Sequence, residues 1–268
     1  AEELYDLVDD PHELHNLLPN RFAMVAGQNL PPREPLMTLP KRLIEWQQEI
    51  RDLGMIPEAV MTRRVGAKVA PYSWARASLS DEAYGHMLKA ASHASLPLAG
   101  SHAWLPTMDD EEEVVRYWAA AEGLGNMDRV ERYMELLRSD SSPTVRLAAA
   151  EFLATRFQEF SSMFTRDAAA AKLNEQRINE AVSTLLQLYE RTATPFDQAY
   201  AAGVLDLLPD FQAIGDRLEP INERVADQRN GNRKEPQASN YVTRWVERFS
   251  ARLASVNRAT TNEHFDSR

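Results

Sequence analysis

Two stretches of this chain are copies of one another, and that repeat restricts the fold more than any other feature. "EEVVRYWAAAEGLG" (112–125) and "SPTVRLAAAEFLA" (142–154) superimpose at a shift of about 30 residues. Val115 and Arg116 fall on Val145 and Arg146, and Ala119 and Ala120 fall on Ala149 and Ala150. Each copy follows an acidic turn, Asp109 and Asp110 in the first and Asp140 in the second. Between them, "DRVERYMELLRS" sets Val130, Tyr133, Met134 and Leu137 at the spacing of one helical face. One unit is therefore helix, turn, helix. Such a unit cannot bury its apolar face alone, so copies must stack on one another.

The pattern D-x-x-P-x-V-R-x-x-A-A, carried by Asp140, Pro143, Val145, Arg146, Ala149 and Ala150, resembles HEAT and HEAT-like repeats. In this reading the aspartate caps the helix, Pro143 occupies its first turn and Val145 points inward. The alanines let adjacent helices approach closely, and Arg146 pairs with an acid of the neighbouring turn. Thr144 is expected to face solvent. "TPFDQAYAAGVLDLL" (194–208) reads as a degenerate third copy, with Gln198 where the arginine would stand. A lengthened second helix is expected over 173–191, and two more over 211–226 and 239–256, split by the polar "DQRNGNRKEPQAS". The fold class expected is mainly α, with a HEAT-like helical repeat (α-solenoid) domain over 107–258 and a frayed tail over 259–268.

The first hundred residues read differently. In "EELYDLVDDPHELHNLL" (2–18), Glu3, Tyr5 and Leu7 alternate with Leu4, Asp6 and Val8, the pattern of a strand. Asp10, Pro11 and Glu13 then form a capping box with proline at the first helical position, which predicts a short helix ended by Pro19. Residues 20–39 are proline-rich and irregular. "PKRLIEWQQEIRDL" (40–53) predicts an amphipathic helix with Leu43, Trp46, Ile50 and Leu53 on one stripe, ended by Gly54. Residues 55–79, with Pro57, Gly66 and Pro71, read as loop, and "SDEAYGHMLKAAS" (80–92) as a helix capped by Ser80. A linker follows over 96–106.

The phrase made by Glu3 to Leu7, Asp9 to Glu13, and Asn16 with Leu17 is similar to a signature of type I sulfatases. There the last strand of a small C-terminal sheet leads into the final helix. "LIEWQQEIRDLGMIPE" (43–58) resembles that helix and its D-x-G-x-I-P-E exit in a subset of bacterial sulfatases, and Val115 to Ala120 resembles a helix of a HEAT-like region that follows it. The resemblance implies a large upstream α/β domain with a formylglycine nucleophile made in a C/S-x-P/A-x-R motif, calcium held by Asp and Asn side chains, and a periplasmic or extracellular location. This chain would be the C-terminal part of that enzyme, and the sheet partners of its strand would lie upstream. The organisation expected is 1–60 as the end of the sulfatase C-terminal subdomain, 61–106 as a linker region with one helix, then the repeats. The partner implied is the upstream catalytic domain, with further protein partners through the repeats. The alternative is a stand-alone repeat protein that binds other proteins.

Composition narrows the chemistry. The chain has no cysteine, which excludes a thiol nucleophile and a cysteine metal site. Forty acids against 30 bases give a net charge of −10, which argues against a general nucleic-acid binder. "SSPTVR" (141–146) misses the S-x-P-x-R spacing, because Val145 stands where arginine is needed. Asp6, Asp9, Asp10, His12 and His15 hold oxygen and nitrogen donors near one turn, but turn-forming and capping roles explain them as well. His86 and His93 stand seven apart, too far for a two-histidine site. His102 and Trp104 read as an anchor, Trp46, Trp118 and Trp245 as core, and Asp109 to Glu113 as acids favoured at a helix N-terminus. No catalytic, cofactor or metal residue is assigned within this chain, and no activity of its own is expected.

Overall fold

The computed structural model describes residues 3–17, 33–66, 69–95, 107–121, 129–159, 161, 166–191, 194–208, 211–231 and 238–265. The chain divides into two compact units, Ala1–Arg51 and Asp52–Arg268. Among the described residues the regular structure is helical and contains no strand.

In the first unit, residues 3–17 form a hydrogen-bonded coil of turns instead of the expected strand and short helix. Leu17 N–H donates to the Leu4 carbonyl at 2.7 Å, and Leu4 N–H donates to Asn16 Oδ1 at 2.9 Å. The Asp10 carboxylate, expected to cap a helix, instead accepts from His15 N–H at 2.7 Å. Glu13 has φ 56°, the left-handed region, which a helix cannot contain. Helix α1 follows at Arg33–Ile50. It starts earlier than the sequence suggests and carries Pro40 in its interior, where the ring removes a backbone donor and crowds the carbonyl four residues before it. It ends before Gly54, where Arg51 turns left-handed with φ 51°.

The second unit opens with α2 (Glu58–Val65), α3 (Pro71–Ser78) and α4 (Asp81–Ser95). The first two lie where the sequence reads as loop. Pro71 sits at the start of α3, where its missing N–H does no harm, and Gly66, at φ 68°, ends α2. The repeat region supplies α5 (Glu113–Ala121), α6 (Val130–Ser139), α7 (Pro143–Phe152), α8 (Ala168–Arg191), α9 (Pro195–Leu207), α10 (Phe211–Gly231) and α11 (Ala238–Phe265). A π turn at Leu153–Phe157 extends α7, and Thr155 Oγ1 donates back to the Glu151 carbonyl at 2.6 Å there.

These helices meet in two series. Helices α5, α7, α9 and α11 touch in succession, as do α6, α8 and α10, and α7 packs on both α6 and α8. The small residues make the first series possible: Ala119, Ala120, Ala148, Ala149, Ala150, Ala201 and Ala202 are all buried. Large side chains fill the space between the series. Tyr133 of α6 stacks on Phe152 of α7 with ring centroids 3.8 Å apart, and its hydroxyl donates to the Ala120 carbonyl at 3.2 Å. Further along, Asn222 of α10 accepts from the Tyr189 hydroxyl at 2.7 Å and donates to the Val246 carbonyl at 3.1 Å, joining α8, α10 and α11. Its amide is buried with both ends satisfied, as a core amide must be.

Val145 lies inside as expected, at 0% exposure. Thr144 does not face solvent: it is 2% exposed, because α2 and α9 cover the side of α7 that the repeat pattern leaves open. Among the tryptophans, Trp118 and Trp245 are partly buried, but Trp46 of α1 is 54% exposed and is not core.

Candidate functional site

The densest polar site of the described residues lies at the N-terminal ends of α5, α7 and α9, and α2 completes it. Helix α2 buries Ala59 and Val60. Arg63 follows them by four and three residues, so it shares their inward face, and Arg64 lies one turn beyond Val60.

Arg63 joins all three helices. Its guanidinium donates to Asp197 Oδ2 of α9 at 2.7 Å, Glu113 Oε2 of α5 at 3.1 Å, Ser142 Oγ ahead of α7 at 3.1 Å and Thr144 Oγ1 at 3.0 Å. Arg64 donates to Glu113 Oε1 at 3.1 Å and also pairs with Glu112. Asp197 is completely buried and fully engaged: Oδ1 accepts from the Thr144 hydroxyl at 2.7 Å, and Oδ2 from Arg63 and from Thr194 Oγ1, again at 2.7 Å. Thr194 Oγ1 in turn accepts from Asp197 N–H at 3.1 Å, a cap for α9. Acids at these helix starts meet the positive end of each helix dipole as well as the arginines.

Glu113 shows the electrostatics of the site. Burial opposes its ionisation, but the Ser142 hydroxyl and the Arg64 and Arg63 guanidiniums outweigh that, and its carboxyl stays below the ordinary range. One turn away, burial and the Glu151 carboxylate raise the Tyr117 phenol. Burial, then Tyr117 and Glu151, hold Tyr200 well above the usual phenol range, and the Tyr200 hydroxyl donates to Glu151 Oε2 at 2.5 Å. These neutral phenols and occupied carboxylates hold α5, α7 and α9 together.

A second bridge runs between the two repeat copies. Arg116 of α5 grips Asp140, ahead of α7, through Nε at 2.7 Å and a terminal nitrogen at 3.1 Å, and donates to the Asp110 carbonyl at 2.8 Å. Its counterpart Arg146 instead donates to the Leu137 carbonyl at 2.9 Å. Gln198 of α9, where the sequence pattern would place a third arginine, donates to the Tyr189 carbonyl at 3.0 Å.

The arrangement is a clasp. Both oxygens of its buried carboxylate and all its hydroxyls are engaged by groups of the chain itself. Of the candidates read in the sequence, Asp109 to Glu113 come closest to it, through Glu112 and Glu113. Arg63, Arg64, Thr194 and Asp197 were not foreseen. The capping pattern T-x-x-D at 194–197 was the available signal for two of them; nothing local marks the arginines, whose partners lie from 48 to 134 residues away.

The remaining candidates take no part in the hydrogen bonds of the clasp. Asp6 Oδ1 accepts from Val8 N–H at 3.0 Å, and the His15 and Leu14 amides lower the Asp10 carboxyl. Among the described residues no group of three His, Asp or Glu side chains could hold a metal ion. His86 meets Asp110 at 3.4 Å, His93 lies further along α4, and Ser141 is exposed ahead of α7. His102 and Trp104 lie outside the described residues. No described helix is long and apolar enough to cross a membrane. The chain matches no family model, no curated protein and no solved structure.

Proposed function

We propose that residues 107–258 work as a HEAT-like α-solenoid with no chemistry of its own, a packing, substrate-access or assembly module of a larger protein. The observation that carries this reading is the Arg116 bridge to Asp140, one repeat copy reaching across to the acidic turn of the next. The serial contacts of α5, α7, α9 and α11 and the alanines between them support it. The larger protein is a type I sulfatase, a sulfuric ester hydrolase, on the resemblance of residues 2–60 and of Val115 to Ala120. Its catalytic domain, with formylglycine and calcium, would be the upstream partner. The coil found at 3–17 weighs against the strand in that resemblance; the strand would form only on pairing with a sheet of that domain.

Two measurements test the proposal. The coding sequence upstream of residue 1 should contain a C/S-x-P/A-x-R motif, and its absence would remove the sulfatase reading while leaving the repeat reading in place. The pure chain should turn over no chromogenic aryl sulfate, whereas the joined protein should. Turnover by the chain alone that survives Ser141→Ala would overturn the assignment of a non-catalytic module.

A further inference from the structure

Helix α1 carries an apolar face that the described residues of its own unit leave half exposed. Leu39, Leu43, Trp46 and Ile50 are 53%, 46%, 54% and 45% exposed. Their steps of four, three and four residues make the a and d positions of a heptad, the spacing by which one helix packs along another. The same four residues are complementary to themselves when a second α1 runs the opposite way. Leu39 then lies opposite Ile50 of the second copy and Leu43 opposite its Trp46, and the two-fold axis repeats both layers. Every exposed apolar residue of the stripe has a partner in this register.

The charges beside the stripe select the same register. Arg42 and Glu49, both exposed, occupy the heptad positions that face their own kind across an antiparallel pair. Arg42 of each copy meets Glu49 of the other, giving two opposite-charge contacts. In a parallel pair Arg42 faces Gln47, Glu49 has no cation opposite, and Trp46 stacks on itself. Lys41 and Glu45 pair within the helix at 3.8 Å and lie outside the contact.

We propose that this face of α1 is a self-association surface, taken by a second copy of this chain in antiparallel register. Two such stripes bury less than the roughly 1,200–2,000 Å² of a stable interface, so the dimer is weak and depends on concentration. The proposal does not rest on the function assigned to residues 107–258.

The test is sedimentation-equilibrium ultracentrifugation of the full chain over a wide concentration range. Wild type should associate to a dimer and no further. Arg42→Glu and Glu49→Arg should each weaken association by about tenfold or more, since each sets like charges opposite one another, and the double variant should recover it. Leu43→Asp should abolish it. Because the chain lacks cysteine, Leu39→Cys chains mixed with Ile50→Cys chains report the register directly. A short bismaleimide should join that mixture and leave Leu39→Cys alone unjoined. A chain monomeric throughout would overturn the proposal. So would association indifferent to the charge reversals, or cross-linking of Leu39→Cys to itself. None of these outcomes bears on the aryl sulfate measurements, so the two readings fail separately.

Discussion

Helices α1 and α7 both show apolar periodicity, yet they end in opposite surroundings. In α7, Val145, Leu147, Ala148, Ala149, Ala150 and Phe152 are all buried, and even Thr144 is covered. In α1, the four stripe residues remain about half exposed. Helix α7 has α5, α6, α8 and α9 around it and Arg63 of α2 at its start. Periodicity tells which face of a helix is apolar, but not whether the same chain supplies a cover. Burial is concentrated where the helices pack around α7, and the half-exposed stripe of α1 is the surface on which the proposed self-association rests.

The sharpest way to break this comparison is to place one charge in each helix. Val145→Asp buries a carboxylate among alanines and should cost about 4 kcal/mol or more, whereas Leu43→Asp should stay within about 0.5 kcal/mol for the monomer. Denaturant unfolding of both variants checks this, and equal losses would remove the distinction. Next in size is Arg63→Ala, which leaves Asp197 buried without its cation and should cost about 3 kcal/mol. Arg138→Ala, which breaks the exposed pair with Glu180, should cost less than about 1 kcal/mol by the same measurement.

The pH dependence sharpens the account further. The Glu113 carboxyl lies below its ordinary value of 4.5 in the folded chain. Its contribution is therefore fully present above that value and is lost as pH falls through the lowered folded one. Glu113→Gln should flatten the acid limb of a stability profile, with little change in its slope at neutral pH. A further small effect is that of Tyr200→Phe, which removes one hydroxyl bound to Glu151. It should cost about 1 kcal/mol at neutral pH and reduce the loss of stability as pH rises above the ordinary phenol value of 10.0, seen in alkaline melts.

The helices of the repeat region were legible because alanine runs, Val145 and the prolines at helix starts act locally. Thr144 was misplaced because the repeat pattern describes one copy and its neighbours, and α2 comes from 79 to 81 residues earlier in the chain to cover it. Helices α2 and α3 were hidden by Pro57, Gly66 and Pro71, which bound short helices here and mark loops equally well. The alternation at residues 3–8 suggested a strand, but a strand needs a pairing edge, and these residues satisfy part of their backbone through Asn16 and their own turns. Of the clasp, the acids at helix starts could be read from the sequence. Which arginines would reach them could not, since that depends on the tertiary path of α2.

Native-state hydrogen exchange of the full chain, below the concentration of self-association, tests the contrast most directly. The amides of α7 should exchange only through global unfolding of residues 52–268, with protection that falls when Arg63 is replaced by alanine. The amides of α1 and of residues 3–17 should exchange much faster, by local opening that Arg63→Ala leaves unchanged. Equal protection of α1 and α7, falling together in the variant, would contradict the account.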